Sequence, residues 1–173
     1  RLGIPVTRST DPRHSCSENP GAAIFAGPFS QWPETLGLAA IRDEELVEQF
    51  GDIARQEYLA VGIRVALHPQ IDLATEPRWA RQLATFGEDA DLTGRLGAAY
   101  IRGFQGATLG ADSVATMTKH FPGGGPQLDG EDPHFEYGRE QVYPGGEFDL
   151  HLKPFEAAFE AGTYTERSAS GLC

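Results

Sequence analysis

Cysteine is scarce in this chain. Only Cys16 and Cys173 occur among 173 residues, so there is no zinc-binding pattern and no disulfide framework. Basic residues are also few: 14 against 25 acidic ones, for a formal net charge of -11. A nucleic acid partner needs Lys and Arg to neutralise phosphates, so this balance argues against one. It argues equally against an anionic membrane surface. No apolar run approaches the roughly 20 residues of a membrane-spanning helix. The Gly-Lys-Ser/Thr ending of a phosphate loop and the dinucleotide glycine fingerprint are both missing. No repeat or low-complexity tract is visible, and nothing implies a cofactor. The chain opens on Arg1-Leu2-Gly3-Ile4-Pro5-Val6 without an initiating Met, which reads as the interior of a longer protein. Periplasmic, secreted and cytoplasmic locations all stay open.

What remains is enough for one medium domain. Forty per cent of the residues are hydrophobic, too many for a disordered composition. Ile4 to Thr7 reads as a short strand. Residues 8–36, rich in Ser, Pro and Gly, read as loop. The first convincing helix spans 43–61: Leu46, Phe50, Ile53, Ala54 and Val61 fall near one face, and Asp43, Glu44 and Glu45 sit in the first turn. Gly62 stops it. A second strand, 63–67, closes at His68-Pro69, and residues 70–90 are a polar loop. A helix follows over 91–105, then a buried strand at 114–118. A long Gly- and Pro-rich loop covers 122–146. The last helix, 147–161, carries Phe148, Leu152, Phe155 and Phe159 at helical spacing. The final residues, 164–173, are polar and aperiodic. They read as an aberrant or disordered tail where a strand is due.

Strands alternating with helices predict an α/β fold with parallel strands. The two long polar connections both follow strand C-termini, the active face of a barrel or open α/β sheet. Three groups of residues on them could carry chemistry. Arg78, Trp79 and Arg81 could grip and stack on a sugar or carboxylate; the competing reading pairs the Arg with Glu88 or Asp89 and buries the Trp. Lys119 and His120 stand at a strand end ahead of Gly123-Gly124-Gly125. Each alone is more often structural, but together they suit a polar ligand. Asp129, Glu131, Asp132 and His134, with His120, could hold a metal or supply paired carboxylates. Acidic residues in Gly-rich loops are more often turn formers.

Taken in order, seven motifs mark a resemblance. They are Gly3-Ile4-Pro5 leading to Asp11, Gln31-Trp32-Pro33-Glu34-Thr35-Leu36-Gly37, Pro69-Gln70-Ile71-Asp72-Leu73, Pro77-Arg78-Trp79-Ala80-Arg81, Phe86-Gly87-Glu88-Asp89, Gly103-Phe104-Gln105-Gly106 and Lys119-His120-Phe121-Pro122-Gly123-Gly124. The chain resembles the N-terminal barrel domain of family 3 glycoside hydrolases over residues 1–163. The resemblance implies roughly the first half of a (β/α)8 TIM barrel. It implies a retaining, exo-acting β-glucosidase-like parent acting on terminal β-D-glucosyl residues, with no cofactor and no metal. β-Xylosidase or β-N-acetylhexosaminidase activity is the runner-up within the family. A sugar-binding fragment of a split barrel is the non-enzyme alternative.

The resemblance also implies roles. Lys119, His120 and Arg81 should donate hydrogen bonds to sugar hydroxyls, and Asp11 should accept from them. His134 is a further candidate on the glycine-rich loop. Three departures stand out. Asp11 sits in Asp-Pro-Arg-His rather than ahead of His-Gly. Gly124 stands where the N-acetylglucosaminidase branch carries its acid/base His. The family's nucleophilic Asp belongs to a later strand. The resemblance therefore assigns no catalytic nucleophile or acid/base within this chain, and makes the remainder of the barrel and a C-terminal domain its implied partners.

Overall fold

A computed structural model describes residues 3, 6–11, 13–17 and 27–168. Four parallel strands form one sheet in chain order: β1 (Ser9–Thr10), β2 (Val65–Ala66), β3 (Ala115–Phe121) and β4 (Thr165–Ser168). Helices α1 (Thr35–Ile41), α2 (Glu44–Ala60), α3 (Ala90–Gln105) and α4 (Phe148–Glu160) fill the connections. The register pairs Ser9 with Val65, Val65 with Ala115 and Met117 with Thr165. This is the expected α/β arrangement, an arc of a β/α barrel.

Local chemistry explains the helix limits. The Asp43 carboxylate accepts from the Leu46 N–H at 3.0 Å and opens α2. Asp89 does the same for Leu92 at 3.0 Å and opens α3. Gly62 (φ 80°) and Gly106 (φ 73°) follow the two helices in a backbone region costly for any other residue. The buried side of α2 runs through Val47, Phe50, Gly51, Ala54 and Tyr58. Val61, expected on that face, is 49% exposed. In α4 the buried row is His151, Pro154, Phe155 and Ala158. Phe148 and Phe159, also expected inside, lie outside that row and are exposed. At 3.6 residues per turn the buried row centres between His151 and Ala158, roughly 70–90° round the helix from Phe148 and Phe159, which fall at its edge. An aromatic core joins α2 and α3: Tyr100 stacks on Phe104 at 4.7 Å, and Phe50 and Tyr58 pack against them.

Three elements differ from the sequence expectation. The first strand lies at Ser9–Thr10, not at 4–7, and Ile4 is outside the described residues. Helix α1 arises from a stretch too short to show periodicity. The tail is not wholly irregular, because its first residues make β4. A parallel edge strand needs only main-chain bonds to its neighbour, so a polar, aperiodic segment can supply it. Residues 169–173 lie outside the described residues.

Candidate functional site

The strand β3 ends in the residues that carry the polar cluster. Backbone bonds tie its end to the segment after β2: Ile71 N–H donates to the Lys119 carbonyl at 2.9 Å, and Lys119 N–H to the Pro69 carbonyl at 3.0 Å. The pairing with β4 shifts register between Lys119 and Phe121. The Lys119–His120 peptide is cis. Strict strand alternation would place Lys119 and His120 on opposite faces. Both are buried, at 2% and 8% exposure.

Lys119 Nζ donates to Asp11 Oδ1 at 2.5 Å. Burial is the largest influence on this ammonium and lowers its pKa; the Asp11 carboxylate opposes it. Burial alone would raise the Asp11 pKa, but Lys119, Arg81 and Arg13 together hold it below the usual carboxylate value. Arg81 divides its fork between two partners. Nη1 lies 3.3 Å from His120 Nε2, and Nη2 donates to Gln70 Oε1 at 3.1 Å. Asp11, Arg81, Lys119 and His120 thus come together at the C-terminal ends of β1, β2 and β3.

Asp72 holds the cluster from behind. It is fully buried. Its Oδ1 accepts from the His120 N–H at 3.2 Å and from the Gly124 N–H, and its Oδ2 lies 3.1 Å from His120 Nδ1. Burial pushes the Asp72 pKa up, yet His120 and the two main-chain donors bring it below its ordinary value. Burial lowers the His120 pKa, with Asp72 opposing. Deeper still, His68 lies between Tyr100 Oη (2.6 Å to Nδ1) and Tyr58 Oη (3.2 Å to Nε2). Burial keeps its pKa well below the ordinary value, and the nearby Lys119 charge adds to this.

His134 is not part of this group. It is exposed and pairs with Asp132 at 2.6 Å. Asp132 lies near enough to Arg81 for its carboxylate to be stabilised by that charge. An exposed pair of this kind contributes about 0–1 kcal/mol. A His134→Ala change is expected to leave the thermal unfolding midpoint nearly unchanged, as melting of the two proteins would show.

The competing readings resolve as follows. Trp79 is buried and packs beneath the glycine-rich loop, where a Cβ on Gly124 would meet its Cζ2 at 3.6 Å. It offers no open face for stacking. Arg78 pairs with Glu76 and Asp129, not with Glu88 or Asp89. Four of the five residues of the metal reading have partners that separate them: Asp129 pairs with Arg78, His120 with Asp72, and Asp132 with His134. Among the described residues, no group of three or more His, Cys, Asp or Glu side chains is arranged to hold a metal ion.

Asp72 and Gln70 were assigned no role by sequence reasoning. Their signal is two polar residues spaced two apart in the otherwise apolar run Gln70-Ile71-Asp72-Leu73. Gln70 is 1% exposed, and among the described residues its Nε2 has no hydrogen-bond partner. It is a spare donor beside Arg81.

The cluster of Lys, His, Arg and Asp at strand ends is what a polyol pocket requires, and comparison with known proteins decides the family. The model of the glycosyl hydrolase family 3 N terminal domain matches residues 1–165. The chain belongs to that family. "Beta-glucosidase C" of Emericella nidulans is 64% identical over 163 residues, covering 94% of this family 3 chain and 26% of the relative. "Periplasmic beta-glucosidase/beta-xylosidase" of Dickeya chrysanthemi is 53% identical over 163 residues, covering 93% and 25%. Among solved structures, a mutant β-glucosidase of Listeria innocua in complex with laminaribiose aligns with a TM-score of 0.79 at 26% identity. It covers 98% of this chain, which covers 22% of that one. The chain spans about a quarter of the length of the curated relatives it matches.

Proposed function

We propose that this chain supplies the sugar-holding part of a retaining, exo-acting β-glucosidase, one that hydrolyses terminal non-reducing β-D-glucosyl residues. The observation that carries the proposal is the convergence of Asp11, Arg81, Lys119 and His120 at the strand C-termini. Charge-assisted donors and an acceptor around one small space suit a neutral ring of hydroxyls, and such bonds strengthen as the glycosyl cation develops. The relatives named β-glucosidase and the solved complexes with glucose and laminaribiose support a saccharide ligand.

Neither carboxylate of the cluster suits nucleophilic attack. Asp72 is fully buried and saturated by donors, and Asp11 is held by Lys119. Double displacement needs a free carboxylate at the anomeric carbon and a second as acid/base. We therefore place both on polypeptide that completes the barrel and its following domain. β-Xylosidase is the second reading, favoured by the dual name of the Dickeya relative.

The test joins residues 1–163 to the remaining length of the Emericella nidulans relative. The full-length chimera is expected to hydrolyse p-nitrophenyl β-D-glucoside faster than the xyloside, while the 173-residue chain alone releases no nitrophenol. A folded chimera that hydrolyses neither would overturn the reading, and turnover by the chain alone would overturn the placement of the nucleophile.

A further inference from the structure

The resemblance to family 3 makes His120 a donor to the sugar, but its neighbours assign it the opposite polarity. We infer that Asp72 is a positioning residue that fixes His120 as the Nδ1–H tautomer, so that Nε2 accepts from Arg81 and holds that guanidinium in place at the sugar site.

Two independent partners require this. A guanidinium is always a donor, and Arg81 Nη1 lies 3.3 Å from Nε2. A hydrogen on Nε2 would set donor against donor. On the other side, Asp72 Oδ2 lies 3.1 Å from Nδ1. A buried carboxylate can only accept, so Nδ1 must carry the hydrogen. A doubly protonated ring would satisfy Asp72 but would again oppose Arg81, now cation against cation. The neutral Nδ1–H form alone satisfies both sides.

Asp72 is itself held for this task. Its Oδ1 takes the main-chain N–H groups of His120 and Gly124, which leaves Oδ2 for the ring. Gly124 has its own part in this. A Cβ there would stand 3.0 Å from Asp72 Oδ1, tighter than a side chain tolerates without moving the carboxylate. Residue 124 contributes an N–H to the carboxylate that positions His120, in the place where a branch of the family carries a side chain. Lys119 and Arg81 remain the cationic donors of the site. His120 Nε2 then orients one of those donors, and Asp11 is the acceptor of the site.

This inference rests on the β-glucoside reading for its ligand but not for its tautomer, and the two are tested separately. In the full-length chimera, selective ¹⁵N-histidine labelling, with His120→Gln used only to assign the resonance, is expected to show His120 neutral with the hydrogen on Nδ1 at neutral pH. An Nε2–H tautomer or an imidazolium would overturn the inference, whether or not the protein binds sugar. Asp72→Asn is expected to remove the tautomer preference and to lower kcat/KM for the aryl β-glucoside about tenfold. An equal loss of activity with the tautomer unchanged would mean that Asp72 is merely structural.

Discussion

Replacing Lys119 by methionine is expected to lower kcat/KM of the full-length chimera by a hundredfold or more, with the fold intact. Methionine keeps most of the apolar stem that fills the space at 2% exposure. It removes the ammonium that bonds Asp11 at 2.5 Å and that would serve the sugar. Hydrogen bonds to charged groups contribute about 1.5–3 kcal/mol each. Losing one to the sugar and loosening Asp11 together amounts to about 3 kcal/mol, or roughly two decades in kcat/KM. Stability should change much less. The Asp11 side chain is 42% exposed, so water can replace the lost partner and the penalty of a buried, unpaired charge is largely avoided. Kinetics and thermal melting on the same sample check both halves. A kcat/KM within threefold of the unsubstituted enzyme would remove Lys119 from the sugar site. A collapse of Tm in step with activity would make it a structural cation.

Much of this site was legible in the sequence, and the part that was not has a definable cause. Lys119 and His120 stand out as a cation and an imidazole beside a glycine-rich bend after an apolar run. Arg81 and Asp11 came from the order of motifs. That both Lys119 and His120 point inward could not be read, because strict alternation separates neighbours; the register shift between Lys119 and Phe121 allows it. Asp72 escaped because Gln70-Ile71-Asp72-Leu73 opens a stretch, 70–90, that reads as a polar loop, where an acid does not stand out. Only the return of the glycine-rich loop, through Gly124, shows what the carboxylate is for.

The fold divides in the same way. Helix α2 was legible from end to end because acids from Asp43 mark its first turn and Gly62 ends it, whereas the 91–105 reading of α3 missed its start at Ala90, where Asp89 caps it. The phase of α4 was not. Phe148, Phe155 and Phe159 mark one stripe, and packing against α3 turns the helix toward Phe155, His151 and Ala158, which leaves Phe148 and Phe159 at its rim. Exposed Phe148 and Phe159, with Tyr164 beyond, then leave apolar surface near the β4 end of the sheet. The rest of a barrel would be expected to cover surface of this kind. Strand β4 was invisible because its pairing with β3 is made by the main chain.

Gly103→Ala is expected to destabilise the fold by about 3 kcal/mol or more. Helices α2 and α3 cross where Gly51 and Gly103 let their backbones touch. A Cβ on Gly103 would overlap the Glu48 carbonyl oxygen and stand 2.8 Å from Gly51 Cα and 3.0 Å from Asp52 N. All three are main-chain atoms within one helix, so no rotamer change can make room. The helices must separate instead. Separation would loosen Phe50 against Tyr100 and Phe104, which pack at 5.5 and 6.5 Å across the same interface. It would also disturb the Tyr58–His68–Tyr100 hydrogen bonds beneath the sugar site. Alanine normally favours a helix over glycine by about 1 kcal/mol, so a net loss can come only from the close approach. Gly110→Ala is the matched control, because nothing lies within 4 Å of its Cβ position. Denaturant unfolding of the two variants in the full-length chimera should show a large drop in midpoint for Gly103→Ala and almost none for Gly110→Ala. A Gly103→Ala protein as stable as its parent would mean that α2 and α3 do not meet through these glycines.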